Sequence, residues 1–277
     1  MVAQVPASGR LAAWTAECYL LMMIAFSNVT KAYGDRRVVG PLSTTIARGQ
    51  FVALLGGSGS GKTTTLKMIN GLTSPTTGSV SVDGRPVGDQ PLAALRRRIG
   101  YVFQEVGLFS HMTVAENIGI GPRLARWDAD RIAARTAELL LLVALPAELG
   151  GRLPAALSGG QRQRVGVARA LAAGPDLMLM DEPFGALDPV TRDALGRDYR
   201  ALHDALGLTT VMVTHDVMEA LLLADRILVM DAGRVLADGA PGELLRDHPD
   251  PVVAALMETP RRQARRLEAL AGAPAHG

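Results

Sequence analysis

The sequence predicts an α/β fold, and three observations carry that prediction. A short, wholly apolar run feeds a glycine-rich loop and then a helix. Apolar runs of the same kind return late in the chain. Between them lies a stretch of purely helical periodicity. The first run is Phe51–Leu55 (FVALL), followed by GGSGSGKT at Gly56–Thr63 and helical spacing over Lys62–Asn70. A continuous apolar run of this length is the pattern of a parallel strand buried on both faces. The later runs are Leu177–Met180, Thr209–Val213 and Ile227–Met230, with helical sequence between them.

Upstream, Ile24–Thr30 and Val38–Ala47 alternate as strands on either side of the turn-like Gly34-Asp35. Ser79–Val82, ending at Asp83-Gly84, reads as a strand and turn, and Ile99–Phe103 as a further strand. From Thr113 to about Ala173 the period turns helical, with Asp128 placed to cap a run that extends to Leu145. The organisation is therefore an α/β domain over residues 24–247, with a helical segment inserted near 105–165. Residues 1–23 are expected to be a disordered leader, with Met22 or Met23 the true start. Residues 248–277 are expected to form a helical tail, where Arg261, Arg262, Arg265 and Arg266 read as a solvated helix face.

With 277 residues and 48% hydrophobic content the chain can bury a substantial core. A net charge of +2 gives no field for nucleic acid, and the single Cys18 excludes an internal disulfide. No apolar run reaches the roughly 18–20 residues of a membrane span, since Leu11–Phe26 carries Glu17. A soluble, intracellular chain that meets membranes only through partners is the expectation.

Gly56–Thr63 fits the pattern G-x-x-x-x-G-K-[ST]. Gly56, Gly57, Gly59 and Gly61, with Ser58 and Ser60 between them, let backbone N–H groups converge on phosphate oxygens. The following helix start, through Thr64, adds roughly half a positive charge. Lys62 supplies a mobile point charge to the outer phosphates, and the Thr63 hydroxyl suits Mg²⁺. LMLMDE at Leu177–Glu182 sets two acids at the end of an apolar strand. Asp181 there suits Mg²⁺ held through water, and Glu182 suits a general base for an attacking water. LSGGQ at Leu157–Gln161 puts Ser158 at a helix N-cap, with Gly159 and Gly160 permitting close approach to phosphate.

Taken together, these motifs resemble the nucleotide-binding subunit of an ATP-binding cassette transporter, over about residues 24–245. That resemblance implies the ABC ATPase fold: a phosphate-loop NTPase core, an antiparallel β subdomain and an inserted α-helical subdomain. It implies ATP and Mg²⁺ as ligands and a homodimer in which Ser158, Gly159, Gly160 and Gln161 contact the nucleotide of the opposite subunit. It also implies that Tyr33 stacks on adenine and that Gln104 senses Mg²⁺ and water. Asp188, within GALD, would meet the partner subunit, and His215 would contact the γ-phosphate. Gly57 departs from the proline frequent at that position, and Thr63 keeps the hydroxyl of the commoner serine.

The stretches KTTTLKMIN (Lys62–Asn70), LFSHMTVAENI (Leu108–Ile118), THDVMEALLLADRI (Thr214–Ile227) and TPRRQARRLEAL (Thr259–Leu270) are similar to the importer branch for glycine betaine, choline and related osmoprotectants. Such a subunit would sit peripherally on the cytoplasmic face of the membrane. It would be bound to transmembrane permease subunits and, through them, served by an extracytoplasmic solute-binding protein. Phe109, His111 and Met112, in an unusually apolar loop, suit a groove for a permease helix. The stretch past Asp247 is too short for the paired regulatory domains frequent in that branch. An importer for an amino acid or a metal, and a soluble cassette ATPase outside transport, are the alternatives.

Overall fold

The computed structural model describes residues 22–246 and 248–271. Among these residues ten strands form two sheets. A four-stranded antiparallel sheet runs in the order β2-β1-β4-β5, with β1 Met22–Tyr33, β2 Arg36–Ala47, β4 Thr77–Val82 and β5 Arg85–Pro86. A six-stranded sheet runs β10-β9-β3-β8-β7-β6, with β3 Phe51–Leu55, β6 Ile99–Val102, β7 Leu177–Asp181, β8 Thr209–Thr214, β9 Arg226–Asp231 and β10 Arg234–Gly239. Strands β9, β3, β8, β7 and β6 pair in parallel, and β10 closes the edge antiparallel to β9.

Alternation along β3 shows why its sequence is apolar throughout. Phe51, Ala53 and Leu55 enter one core, and Val52 and Leu54 enter the other. The first core lies against α5 (Gly159–Leu171), α6 (Pro189–Leu206) and α7 (Val217–Leu223). The second joins the six-stranded sheet to the antiparallel sheet and to α1 (Lys62–Ile69). A strand with helices or sheet on both faces has no side left for polar residues.

The inserted helical segment holds α3 (Val114–Leu124) and α4 (Ala129–Leu142), which pack on α5. Thr113 caps α3 through a reciprocal box with Glu116, and Asp128 caps α4 by accepting from Arg131 N at 2.8 Å. The remaining helices are α2 (Leu92–Arg97), α8 (Pro241–Leu244) and α9 (Pro251–Ala271).

Boundaries differ from the sequence reading in a few places, each for a physical reason. Strand β1 begins at Met22, inside the expected leader, because Met23 and Ile24 are buried in the second core. Residues 1–21 of that leader lie outside the described residues. Helix α4 stops at Leu142 rather than Leu145, since Ala144 takes a positive φ of 52° and turns the chain. Asp181 belongs to β7 rather than following it. The tail is helical from Pro251, with Val253 and Met257 fully buried and Arg262, Arg265 and Arg266 exposed. Among the described residues no helix is long and apolar enough to cross a membrane.

Candidate nucleotide site

The loop between β3 and α1 is held in shape by its own glycines and by Lys62. Gly59 and Gly61 take φ of 79° and 97°, in the region that favours glycine. Gly57, Ser58 and Gly59 are exposed, and a Cβ at Gly57 or Gly59 would meet nothing, so the cradle is open on that side. Ser60 is buried and donates its N–H to Gly57 O at 3.3 Å. Lys62, only 5% exposed, donates to Gly56 O at 2.7 Å and Gly57 O at 2.8 Å. Burial pushes its ammonium pKa down, while Glu182 and Asp181 act in the opposite sense. Helix α1 starts at Lys62 with no side-chain cap, leaving its first N–H groups turned toward the loop. Thr63 and Thr64 follow, both half-buried.

Three parallel strand ends supply the rest. Register pairs Val102 of β6 with Met180 of β7, and Asp181 with Val213 of β8, so the residues just past these ends form a row. The Thr63 hydroxyl donates to Asp181 Oδ1 at 2.9 Å. Asp181 is 7% exposed, and burial raises its pKa against the opposing pull of Thr63, Lys67 and Lys62. Gln104 Nε2 donates to Glu182 Oε2 at 3.2 Å, and His215 Nδ1 lies 3.1 Å from the same oxygen. Glu182 sits at φ 47°, unusual for a residue with a Cβ, and its N–H donates to Val213 O at 2.9 Å. The sharp turn it makes lifts its carboxylate off the strand end toward Gln104 and His215.

A second group forms at the tips of α5 and α6. Ser158 caps α5 in a reciprocal box: Gln161 N donates to Ser158 Oγ at 3.2 Å and Ser158 N to Gln161 Oε1 at 2.9 Å. Asp188 caps α6 by accepting from Thr191 N at 3.0 Å, and hydrogen bonding from the Thr191 side chain, then from this N–H, holds its carboxyl below the usual range. The two tips touch, because a Cβ on Gly160 would stand 2.7 Å from Thr191 Cγ2. No hydrogen bond or ion pair among the described residues joins Ser158–Gln161 to Gly56–Thr63. The site residues therefore fall into two clusters, one with Lys62, Thr63, Gln104, Asp181, Glu182 and His215, the other with Ser158–Gln161 and Asp188. Tyr33 stands apart from both at the end of β1, 55% exposed, with Lys31 Nζ 4.7 Å from its ring centroid and Thr73 Oγ1 3.3 Å from its hydroxyl.

The family model described as ABC transporter matches residues 39–185, more than half of the chain. The chain belongs to the ABC transporter family. It is 48% identical over 232 residues to a choline transport ATP-binding protein of Bacillus subtilis, covering 83% of this chain and 61% of that one. It is 50% identical over 223 residues to a glycine betaine uptake system ATP-binding protein of Escherichia coli, covering 80% and 72%. A sulfate/thiosulfate import ATP-binding protein of Caulobacter vibrioides is 48% identical over 227 residues, covering 80% and 66%. The chain thus spans about three fifths of the length of the first of these curated relatives. A solved dimeric ATP-binding cassette in a post-hydrolysis state, bound to ADP and Pi, superposes with a TM-score of 0.73. That likeness carries 34% identity and covers 79% of this chain and 99% of that one.

Three residues of this ABC transporter chain escape a motif-based reading. Arg169 of α5 donates to Val106 O at 2.6 Å and Gly107 O at 2.7 Å, pinning the segment after Gln104 to the helix that Ser158 caps. Asn117, fully buried on α3, donates to the carbonyls of Phe109, Met112 and Thr113 and accepts from Phe109 N at 2.8 Å. That clasp presents Phe109 (47% exposed) and His111 outward, with Met112 half-buried beside them. Arg192 of α6 bonds both to Leu187 O and to Asp216. In sequence each is a polar residue on a helix, with the same signature as a solvated one.

Proposed function

We propose that this chain is the ATP-hydrolysing subunit of a membrane importer for an osmoprotectant such as glycine betaine, choline or proline betaine. The observation that carries the hydrolytic part is the Glu182 carboxylate gripped at Oε2 by Gln104 and His215, next to the Thr63–Asp181 pair. Gly56–Thr63 binds the phosphates of ATP, with Lys62 exchanging its loop carbonyls for phosphate oxygens and Tyr33 stacking on adenine. Mg²⁺ fits the donor set, which is a hydroxyl, a buried carboxylate and an amide oxygen at Thr63, Asp181 and Gln104, all hard oxygen ligands. Burial raises the pKa of the Asp181 carboxylate despite Thr63, Lys67 and Lys62, so a cation bound there would favour its charged form. When bound, Mg²⁺ neutralises charge on the β and γ phosphates.

Glu182 takes the proton of the attacking water as its oxygen bonds to the γ-phosphorus and the bond to ADP breaks. Gln104 and His215 hold the carboxylate in the orientation this requires. Ser158, Gly159, Gly160 and Gln161 complete the site of a second copy, with Asp188 at the crossing point. Two such chains close on two nucleotides and reopen after hydrolysis.

The separation of the site residues into two clusters supports that dimer, since neither cluster alone surrounds a triphosphate. The cargo reading rests on the kinship with choline and glycine betaine systems. A peripheral position on the cytoplasmic face, with the Phe109–Met112 loop against a permease and a solute-binding protein beyond it, completes the reading. The test is reconstitution of the chain with its permease in vesicles. ATP-dependent uptake of labelled glycine betaine or choline, abolished by Glu182→Gln, is the expected result. Uptake of sulfate or an amino acid instead would replace the cargo, and the Caulobacter relative makes sulfate the second reading to try.

A further inference from the structure

One guanidinium ties the loop that precedes Asp188 to the turn that carries His215. Arg192 lies on the first turn of α6, just past the Asp188 cap. Its Nη2 donates to Leu187 O at 3.0 Å, and its Nη1 to Asp216 Oδ2 at 3.0 Å. Its Nε is buried without a hydrogen-bond partner, 3.7 Å from Glu219 Oε1. Glu219 is itself 8% exposed and accepts from the Thr214 hydroxyl at 2.6 Å. That hydroxyl also accepts from Asp216 N at 3.0 Å, and Asp216 Oδ1 caps α7 through Met218 N and Glu219 N. Both neighbours of His215 are therefore fixed by their side chains, and Arg192 bonds directly to one of them, Asp216.

The loop from Glu182 to Asp188 is thus attached to the His215 turn at two points. At one end His215 meets the Glu182 carboxylate. At the other, Arg192 joins Leu187 to Asp216. We propose that Arg192 is a positioning residue that sets the spacing between the partner-facing loop 183–188 and the His215 turn, so that engagement of the loop by a second chain determines the Glu182–His215 contact. The proposal rests on the ATPase reading given above. The guanidinium reaches a backbone carbonyl and a carboxylate from two nitrogens held at a fixed spacing, which the single ammonium of lysine does not supply. Arg192 touches no reacting group, so its effect is on turnover and not on nucleotide capture.

The experiment compares the full chain with Arg192→Ala and Arg192→Lys in steady-state ATPase assays, fluorescent-ATP titration and hydrogen exchange. For Arg192→Ala, kcat is expected to fall about tenfold or more, with ATP affinity kept within about twofold. Guanidinium ion added at millimolar concentration is expected to restore part of the rate to the alanine variant. Arg192→Lys is expected to recover less than half of the loss, and it serves as the folded variant should alanine fail to fold. Exchange is expected to quicken together in 183–188 and 214–219. An unchanged kcat, or faster exchange confined to α6, overturns the proposal. So does a loss of ATP affinity that tracks a general loss of stability. A parent chain without ATPase activity would refute the underlying reading, and the exchange pattern would still decide the role of Arg192.

Discussion

Asn117 offers the most direct test of how the Phe109–Thr113 segment is held. Its side-chain oxygen accepts from Phe109 N, and its two amide hydrogens are shared among the carbonyls of Phe109, Met112 and Thr113. In Asn117→Ala two of those carbonyls keep a donor, since Met112 N still reaches Phe109 O and residue 117's own N–H still reaches Thr113 O. Phe109 N–H and Met112 O have no other partner among the described residues. Two polar groups are then left unmet at the edge of a fully buried position. At about 1–3 kcal/mol each, discounted for solvent that can reach the loop, the loss is about 2–4 kcal/mol. Asn117→Asp keeps the shape but turns a carboxylate toward three carbonyl oxygens, so its loss is expected to exceed that of alanine. Urea unfolding followed by tryptophan fluorescence reads both as shifts of midpoint at constant m. If both variants fell within about 1 kcal/mol of the parent, the clasp would not be what holds Phe109 and His111 outward.

Glu182→Gln removes the proposed proton acceptor and keeps the hydrogen-bonding shape, so kcat is expected to fall by about 10²–10⁴. An ATP-bound dimer should persist on sizing columns, and monomer with undiminished turnover would take Glu182 out of its role. Lys62→Ala removes the buried ammonium of the loop, and ATP affinity measured by equilibrium titration is expected to drop by at least about tenfold. His203, 1% exposed with Nδ1 3.0 Å from Thr210 Oγ1, has its pKa lowered by burial, with Arg200 adding to the effect. The unfolded chain therefore binds a proton there near pH 6.5 that the fold resists, and stability should fall as pH drops below that value. Asp181 and Glu219, whose pKa values are raised, act in the opposite sense at lower pH. The contribution of His203 is isolated by comparing unfolding of parent and His203→Gln at pH 7.5 and 5.5, where equal pH slopes would contradict it.

The parts of the fold visible in the sequence are those where burial is two-sided. Phe51–Leu55 matches its strand residue for residue, because every position is buried and the composition has no freedom. Strand β10 (RVLADG) is an edge strand with mixed exposure, and its short apolar alternation does not stand out. Strand β5, two exposed residues including a proline, has no pattern to read. In the site, contiguous motifs such as GGSGSGKT and LSGGQ are legible because local backbone geometry demands those glycines and that cap. The meeting of Gln104, Glu182 and His215 depends on the parallel register of β6, β7 and β8, which brings together residues far apart in the chain. Arg192, Arg169 and Asn117 are legible only in three dimensions, since their partners are mostly backbone carbonyls that any sequence would supply.

Glycine in and beside the phosphate loop also acts as a seam. A Cβ on Gly56 would run into Met230 O, and one on Gly61 would stand 2.6 Å from Val38 O. Gly233, after β9, is as close to Val38, donates its N–H to Ser60 O at 3.1 Å and accepts from Gly40 N at 2.8 Å. The glycine loop Gly56–Thr63 is thus wedged at the join of the two sheets, with the antiparallel layer pressed on its back. An alanine at Gly61 or Gly233 would prise that join apart before it narrowed any room for phosphate. Damage there should travel outward through the antiparallel layer as a hinge forced open, reaching Tyr33 by way of the β1–β2 hairpin.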